Sequence, residues 1–317
     1  MLISILLLLA GFVALIFGAD KLVESASSLA TRMGISNIVI GLTVVAFGTS
    51  APELVVNVFA SVSGNTEMVL GNVLGSNIFN VLGILGVSAM IFPLSVKSNT
   101  TWIEIPLSLL AAVCVYVVAA DIFLDGGGEN LISRSDGLTL LLFFVIFLAY
   151  NLSIAKTDVG KEEVPTGHYS TGKAVLFLIL GLAGLVLGGR LIVSSAVEIA
   201  ESLGLSQRVI GLTIVSIGTS LPELATSIVA VRKKNVDIAI GNVVGSNIFN
   251  IFFILGVSTV ITPLEISDNS FVDIFLNIFT GILLFAFIFT GKGRRLDRWE
   301  GVVFFLSYIA YLVYLVV

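Results

Sequence analysis

Two glutamates lie inside long apolar stretches of this sequence, and each directly follows a proline. The first is Glu53 after Pro52, and the second is Glu223 after Pro222. A charged side chain inside the hydrocarbon of a bilayer costs about 2.5–3.5 kcal/mol on insertion scales, so such residues normally face an interior cavity. The structural alternative is a pair of carboxylates kept protonated or bonded to neighbouring hydroxyls. The oxygen-bearing residues around both acids favour an ion site instead.

Both prolines also predict a break in the helix that carries them. Proline cannot donate a backbone hydrogen bond, which frees carbonyl groups one turn earlier, near Gly48 and Gly218. Broken helices at membrane depth are tolerated where they line a site or a cavity. We therefore expect the carbonyls of residues 46–49 and 216–219 to be oxygen ligands. The hydroxyls expected to act with them belong to Thr49, Ser50, Thr219 and Ser220.

A second motif supplies neutral oxygen atoms. It reads GNVLGSNIFN at residues 71–80 and GNVVGSNIFN at residues 241–250. Its glycines have the GxxxG spacing that lets helices approach closely, so we predict that they pack helices together. The motif is not a phosphate loop, because the lysine of such a loop is missing. Its polar oxygens come from Ser76, Asn77, Asn80, Ser246, Asn247 and Asn250.

The summed donor set predicts a site for hard cations. It contains two carboxylates, backbone carbonyls, hydroxyls and amide oxygens, with no cysteine or histidine in these segments. Such oxygen donors select Ca²⁺ or Na⁺ over zinc or copper. Two facing carboxylates are neutralised by one Ca²⁺, or by two or more Na⁺. Movement of the site without an ion would leave charge unpaired in a medium of low dielectric constant, so exchange of one ion type for the other is expected.

Both motifs are duplicated along the chain. Residues 41–94 return as residues 211–264 with a constant offset of 170 and no gap, and about half of the positions are identical. GTSAPEL at residues 48–54 matches GTSLPEL at residues 218–224. A chain that repeats its polar residues inside apolar stretches is most simply a transporter with a two-sided site.

Composition excludes a soluble domain, because 57% of the residues are hydrophobic, 12% are charged and the mean hydropathy is +1.10. About ten apolar stretches are long enough to cross a hydrocarbon core, which takes about 20 residues each. They are helices, since a barrel would alternate apolar and polar residues. We predict an all-α polytopic membrane protein with spans near 2–20, 36–62, 69–92, 102–124, 137–152, 174–197, 208–231, 238–262, 271–290 and 300–317.

Lysine and arginine predict the orientation. Most of them fall in alternate loops, and by the positive-inside rule these loops are cytoplasmic, so both termini are predicted to be extracellular. Five helices per half is an odd number, so the halves form an inverted-topology repeat. The first repeat is assigned to residues 1–155, a cytoplasmic linker to 156–172 and the second repeat to 173–317. Asp20 and Glu24, beside Lys21, are predicted to meet solvent at the inner end of the first helix.

The two duplicated segments resemble those of the cation/calcium antiporter superfamily, and the chain is most similar to prokaryotic sodium/calcium exchangers over all ten helices. The resemblance implies a central calcium site formed by Glu53 and Glu223 with the carbonyls of Thr49 and Thr219, completed by Asn80 and Asn250. It also implies flanking sodium sites, one with Ala46, Ser50 and Ser246, the other with Ser216, Ser220 and Ser76. In such proteins helices one and six slide to alternate access.

Several alternatives stay open at this point. Exchange for protons requires only titratable carboxylates, so a proton/calcium exchanger is the second interpretation. Potassium dependence is disfavoured because some relatives carry aspartate where this chain has Asn250. A cation channel fits an inverted duplication less well, and an enzyme whose two acids share a proton would not need the neutral oxygens around them. We expect a multi-pass protein of the cell membrane that contacts lipid, transports Ca²⁺ and Na⁺, and uses no cofactor and no nucleic acid. The sequence carries no signal for the oligomeric state.

Overall fold

The computed structural model describes residues 2–126, 129–155, 169–202, 216–291 and 293–316. Within these ranges eight helical segments are long and apolar enough to cross a membrane, and a bent pair of helices forms a ninth candidate span. The predicted seventh span, near 208–231, is helical from residue 216 onwards, and its first residues lie outside the described ranges. Most of the predicted linker, residues 156–168, also lies outside them.

The described residues of the first half form nine α-helices. They are α1 (Leu2–Met33), α2 (Asn37–Ile40), α3 (Ala46–Thr49), α4 (Ala51–Val62), α5 (Thr66–Ile78), α6 (Gly86–Ile91), α7 (Ile105–Ala119), α8 (Asp121–Asp125) and α9 (Arg134–Ile154). Three π-helical stretches, Gly41–Val45, Phe79–Leu85 and Thr100–Glu104, continue directly into or out of these α-helices.

The second half follows the same order, without a described counterpart of α2 or α8. Its described helices are α10 (Thr171–Ser202), α11 (Ser216–Thr219), α12 (Leu221–Arg232), α13 (Val236–Ile248), α14 (Gly256–Ile261), α15 (Asp268–Phe287) and α16 (Arg298–Val316). A π-helical stretch, Phe249–Leu255, joins α13 to α14 just as Phe79–Leu85 joins α5 to α6. With the offset of 170, α1 corresponds to α10 within one residue at each end, so the repeat extends beyond the segment of high identity.

The two equivalent helices α1 and α10 pack against each other in opposite directions. A methyl group on Gly18 would lie 2.7 Å from the carbonyl oxygen of Gly181, and one on Gly11 would lie 3.0 Å from that of Gly188. Residues nearer the C-terminus of α1 therefore contact residues nearer the N-terminus of α10. Because equivalent helices run antiparallel, the halves are related by inverted topology, as predicted. Only glycine permits backbones this close.

Helix α1 is longer than predicted. The sequence placed its end near residue 20, but the helix continues to Met33. Its C-terminal half is tied to the second half of the chain by ion pairs, since the amine of Lys233 lies 2.6 Å from a carboxylate oxygen of Asp20 and 2.9 Å from one of Glu24. The hydroxyl of Tyr169 also donates to Glu24 at 2.8 Å. The two acids are thus only partly exposed and paired, whereas the sequence predicted that they meet solvent.

Two short antiparallel sheets join the halves, one on each side of the membrane. Strand β1 (Leu94–Ser95) pairs with β4 (Arg295–Leu296), with Leu94 opposite Leu296. Strand β2 (Leu131–Ile132) pairs with β3 (Leu264–Glu265), with Leu131 opposite Glu265. One transmembrane helix, α7, separates β1 from β2, so the two sheets lie on opposite faces. Each sheet takes one strand from each half.

The duplicated motifs occupy the interior of the bundle. The span from α5 to α6 and the span from α13 to α14 are mostly buried, whereas α1, α9, α10, α15 and α16 expose many large apolar side chains to the surroundings. Gly241 and Gly245 contact the backbone of Ile38 and Leu42, as the packing interpretation of the GxxxG spacing predicts. For Gly71 and Gly75 the described residues do not bear that prediction out, because a methyl group on either would have no described neighbour within 4 Å. The polar residues of the motifs therefore face protein rather than lipid.

Candidate functional site

Two helix breaks position the glutamates. The break between α3 and α4 lies at Ser50, with φ −82° and ψ 7°, and the break between α11 and α12 lies at Ser220, with φ −90° and ψ 10°. Pro52 and Pro222 then occupy the second position of α4 and α12, where a helix does not use the missing N–H. The first break bends the span by 47°. Each acid consequently stands in the first turn of a helix, where the helix dipole favours negative charge.

The two carboxylates are buried and bonded across the repeat. Glu53 is 1% exposed and Glu223 is 0% exposed. The hydroxyl of Ser220 donates to Oε1 of Glu53 at 3.0 Å, and the hydroxyl of Ser50 donates to Oε1 of Glu223 at 2.9 Å. Each half thus supplies the serine that bonds the glutamate of the other half. The site lies on the pseudo-two-fold axis.

Two serine pairs flank the carboxylates. The hydroxyl oxygens of Ser50 and Ser246 lie 3.0 Å apart, and those of Ser76 and Ser220 lie 2.9 Å apart. All four side chains are buried. The structure therefore brings together the same two pairs of serines that the sequence analysis assigned to the two flanking positions.

Four asparagines form a crossed frame between the motifs. The amide of Asn80 donates to Oδ1 of Asn247 at 2.9 Å, and the amide of Asn250 donates to Oδ1 of Asn77 at 3.0 Å. The sequence motif was also expected to offer the neutral oxygens of Asn77 and Asn247. Both oxygens accept these hydrogen bonds and orient the partner amide, so they are not among the free oxygens of the site. Asn80 and Asn250 themselves lie in the π-helical stretches, a feature often found at functional sites.

Four buried oxygens around this frame have no hydrogen-bond donor. They are Oε2 of Glu53, Oε2 of Glu223, Oδ1 of Asn80 and Oδ1 of Asn250. An unpaired buried acceptor is costly, and an ionised one far more so. Two carboxylate and two amide oxygens with no donor between them are a donor set for a hard cation. The described residues contain no group of three or more acidic, histidine or cysteine side chains that could hold a metal, so neutral oxygens must complete this site.

The remaining predicted residues differ in how the structure places them. Thr49 is buried and donates to Oδ1 of Asn242 at 3.0 Å, while Thr219 donates to Oδ1 of Asn72 at 3.4 Å. The carbonyl of Ala46 adjoins the site but already accepts the amide of residue 50 at 3.0 Å and the Thr49 hydroxyl at 3.3 Å. The backbone of Ser216 begins α11, and its side chain lies outside the described part of the structure.

Sequence reasoning missed Asn72 and Asn242. They are the first asparagines of the duplicated motif, and repetition in both copies was the signal that could have identified them. A cavity of 810 Å³ beside α10 contains neither glutamate and is lined mainly by apolar side chains such as Phe47, Leu182 and Phe249. The carboxylates are enclosed instead, which suits bare ions rather than an organic substrate.

Comparison with known proteins gives a consistent result. Residues 3–153 and 173–317 match the protein family described as sodium/calcium exchanger protein. The putative antiporter CaxA of Alkalimonas amylolytica is 39% identical over 323 residues, covering 98% of both chains. The sodium/calcium exchanger MaX1 of Methanosarcina acetivorans is 34% identical over 349 residues, covering 99% of this chain and 98% of its own.

The solved structures extend the likeness to the fold. The sodium-calcium exchanger NCX_Mj, soaked with zero Na⁺ and Ca²⁺, superposes with a TM-score of 0.85 at 32% identity, over 99% of both chains. The predicted architecture of ten helices in two inverted repeats is in agreement with that exchanger.

Proposed function

The chain belongs to the sodium/calcium exchanger protein family, and on that premise we propose that it exchanges Na⁺ for Ca²⁺ by alternating access at the site around Glu53 and Glu223. As a member of that family it is a cation/calcium antiporter of the membrane and not an enzyme. The identity of the counter-ion and the transport cycle are the parts that we infer.

The observation that carries the proposal is the set of four donor-free oxygens, two of which belong to carboxyl groups. One Ca²⁺ among them would neutralise both carboxylates, and its coordination of about six to eight oxygens would be completed by nearby carbonyls. In this assignment Glu53 and Glu223 bind calcium with the carbonyls of Thr49 and Thr219, and Asn80 and Asn250 complete the centre.

Sodium would use the serine pairs on either side. Na⁺ also prefers oxygen ligands, and each serine pair lies in hydrogen-bond contact with a carboxylate. Sodium and calcium would then compete for the same two carboxylates, which couples the release of one ion to the binding of the other. The flanking ligands are assigned as Ser50, Ser246 and Ala46 on one side, and Ser220, Ser76 and Ser216 on the other.

The relatives favour sodium over the alternatives. MaX1 and NCX_Mj are both described as sodium/calcium exchangers and match nearly the whole chain. The sodium/potassium/calcium exchanger 1 of Mus musculus is 27% identical over only 55% of this chain. Asn250 presents an uncharged oxygen where a potassium-dependent protein would carry an acid. We therefore propose exchange without potassium, and protons remain the competing counter-ion that the experiment must exclude.

Alternating access would involve the α1 and α10 pair. These helices pack closely against each other through glycines, so they are able to slide as one unit across the rest of the protein. The basic residues in alternate loops support a protein of the cell membrane with both termini outside, a first repeat over residues 1–155, a cytoplasmic linker at 156–172 and a second repeat over 173–317.

Radioactive calcium uptake into proteoliposomes tests the proposal. Vesicles are loaded with sodium or only with protons, and the voltage is clamped. Uptake driven by an outward sodium gradient, and abolished in Glu53→Gln and Glu223→Gln, is the expected result. Glu67→Gln makes the same change at an exposed position and should transport normally.

Two outcomes would contradict the proposal. Uptake driven only by a proton gradient would assign the chain to proton-coupled exchange. Uptake that persists in both glutamine variants would remove the carboxylates from the transport site. Size-exclusion profiles of the variants separate lost transport from misfolding.

A further inference from the structure

One asparagine ties the two halves of the site together on one side. Oδ1 of Asn242 accepts the Thr49 hydroxyl at 3.0 Å. Its amide donates to the backbone carbonyl of Glu223 at 3.2 Å and to the hydroxyl of Ser227 at 3.0 Å. All these residues are buried. Asn242 thus fixes Thr49, on one helix break, relative to the glutamate that follows the other break.

The equivalent arrangement around Asn72, in the other half of the site, is incomplete. Asn72 corresponds to Asn242, and its Oδ1 accepts the Thr219 hydroxyl at the longer distance of 3.4 Å. The amide of Asn72 is buried and has no partner. The Glu53 carbonyl, which it should bond, instead accepts the amide of Asn57 at 2.9 Å. Oδ1 of Asn57 has no partner either.

The repeats differ in sequence at this point. Residue 57 is asparagine, whereas its equivalent in the second half, residue 227, is serine. Serine at 227 offers a hydroxyl that accepts from Asn242. The longer Asn57 side chain folds back one helical turn and donates to the carbonyl of residue 53, and the amide of Asn72 does not bond that carbonyl. Asn242, which binds Thr49, is therefore held through both its oxygen and its amide. Asn72, which binds Thr219, is held only through its oxygen.

We propose that Asn72 and Asn242 are positioning residues of the ion site, and that Asn57 makes its two halves unequal. The half that contains Thr219, Ser220 and Ser76 is held less firmly and binds sodium more weakly than the half that contains Thr49. This inference rests on the proposed sodium/calcium exchange. It concerns residues that contact none of the four donor-free oxygens, so they act through the threonines and the glutamate backbone.

The experiment exchanges the two residues. Asn57→Ser allows Asn72 to donate to the Glu53 carbonyl and to the introduced hydroxyl. The half-saturating sodium concentration for exchange should fall about three- to tenfold, the value of one or two added hydrogen bonds. Ser227→Asn should raise it by a similar factor. The double variant should return close to the native value, because it only transfers the asymmetry to the other half.

Asn151→Ser is the matched control. Asn151 is also a buried asparagine whose amide bonds the carbonyl four residues earlier, at 2.8 Å, and whose Oδ1 has no partner, but it lies in α9 and bonds none of the site residues. It should change thermal stability without changing the sodium dependence. Asn57→Ala, which frees the Glu53 carbonyl without adding an acceptor, should give a smaller gain than Asn57→Ser and covers the case in which the serine variant folds poorly.

Two readouts keep this inference separable from the proposed function. The first is the sodium dependence of calcium uptake. The second is the increase in melting temperature that sodium produces in detergent, which needs binding but no transport. If the native chain shows no sodium-driven uptake, the proposed function fails. The increase in melting temperature that sodium produces would still rank the variants by their sodium binding. If Asn57→Ser and Ser227→Asn change the melting temperature without sodium but leave its sodium dependence unaltered, Asn57 is only structural and the inference is overturned.

Discussion

Replacing Gly18 by alanine tests how closely α1 and α10 must approach. The added methyl group would lie 2.7 Å from the carbonyl oxygen of Gly181 and 2.8 Å from the amide nitrogen of Leu185. Ordinary contact begins near 3.4 Å, so the helices must separate locally by about 0.7 Å. Both obstacles are backbone atoms, which cannot rotate away. Overpacking of this kind costs about 1–3 kcal/mol, and we expect Gly18→Ala to lower the free energy of unfolding by that amount.

A control and a double variant make the test specific. Gly184→Ala introduces the same methyl group in the same interface, but its nearest neighbour would be 3.2 Å away, so its cost should be small. The methyl group of Gly181→Ala would lie 2.8 Å from the carbonyl oxygen of Gly18. Once the first methyl group has separated the helices, the second one has room. The double variant Gly18→Ala/Gly181→Ala should therefore cost less than the sum of the single variants, by at least about 0.5 kcal/mol.

The assay is reversible unfolding in mixed detergent micelles, combined with calcium uptake for each variant. Equal costs for Gly18→Ala and Gly184→Ala would refute the reasoning, because the distances in the interface would then not govern its stability. Strict additivity in the double variant would also refute it, since it would mean that the two methyl groups are not accommodated by one common separation.

Two further predictions concern the ion pairs of α1 and the serine pairs. Lys233→Gln removes both ion pairs that hold α1 at Asp20 and Glu24 and should lower the free energy of unfolding by about 0.5–1 kcal/mol at low salt and less at high salt. Lys234→Gln, the same change at the next residue, should have no effect, and unfolding curves at two salt concentrations decide between them. Ser50→Ala and Ser220→Ala should each raise the half-saturating sodium concentration several-fold and change that of calcium less, because the proposed calcium ligands Glu53 and Glu223 keep their donor-free oxygens. Equal effects on both ions, measured by uptake at varied sodium and calcium, would contradict the assignment of the serines to sodium.

The spans and the helix breaks could be predicted from the sequence because the bilayer imposes them. Apolar runs of sufficient length must be helical, and Pro52 and Pro222 interrupt such runs next to an acid. The duplication predicted a site shared by both halves, since the same polar residues recur at a fixed offset inside apolar stretches. The grouping of Ser50 with Ser246 and of Ser76 with Ser220, however, was implied only by the family resemblance.

The remaining features depend on which helices are neighbours, and no local pattern encodes that. Asn77 and Asn247 were counted among the neutral oxygens because the sequence shows their oxygens but not the amides that donate to them. The pairing of Glu24 with Lys233 joins residues about 200 positions apart. The π-helical stretches have no composition that distinguishes them from α-helix. Helix α1 was predicted too short because a hydrophobic criterion ends where the apolar run ends, whereas the helix continues outside it.

The two short sheets have a consequence for how the chain is made. Strand β3 follows β2 by about 130 residues, whereas β4 follows β1 by about 200 residues. After β4 only the last described helix, α16, remains. Synthesis proceeds from the N-terminus, so the partner of β1 leaves the ribosome when insertion of the protein is almost complete. The halves are therefore joined first on the face of β2 and β3. The face of β1 and β4 closes last, and a chain that stops before residue 295 leaves β1 without its partner strand.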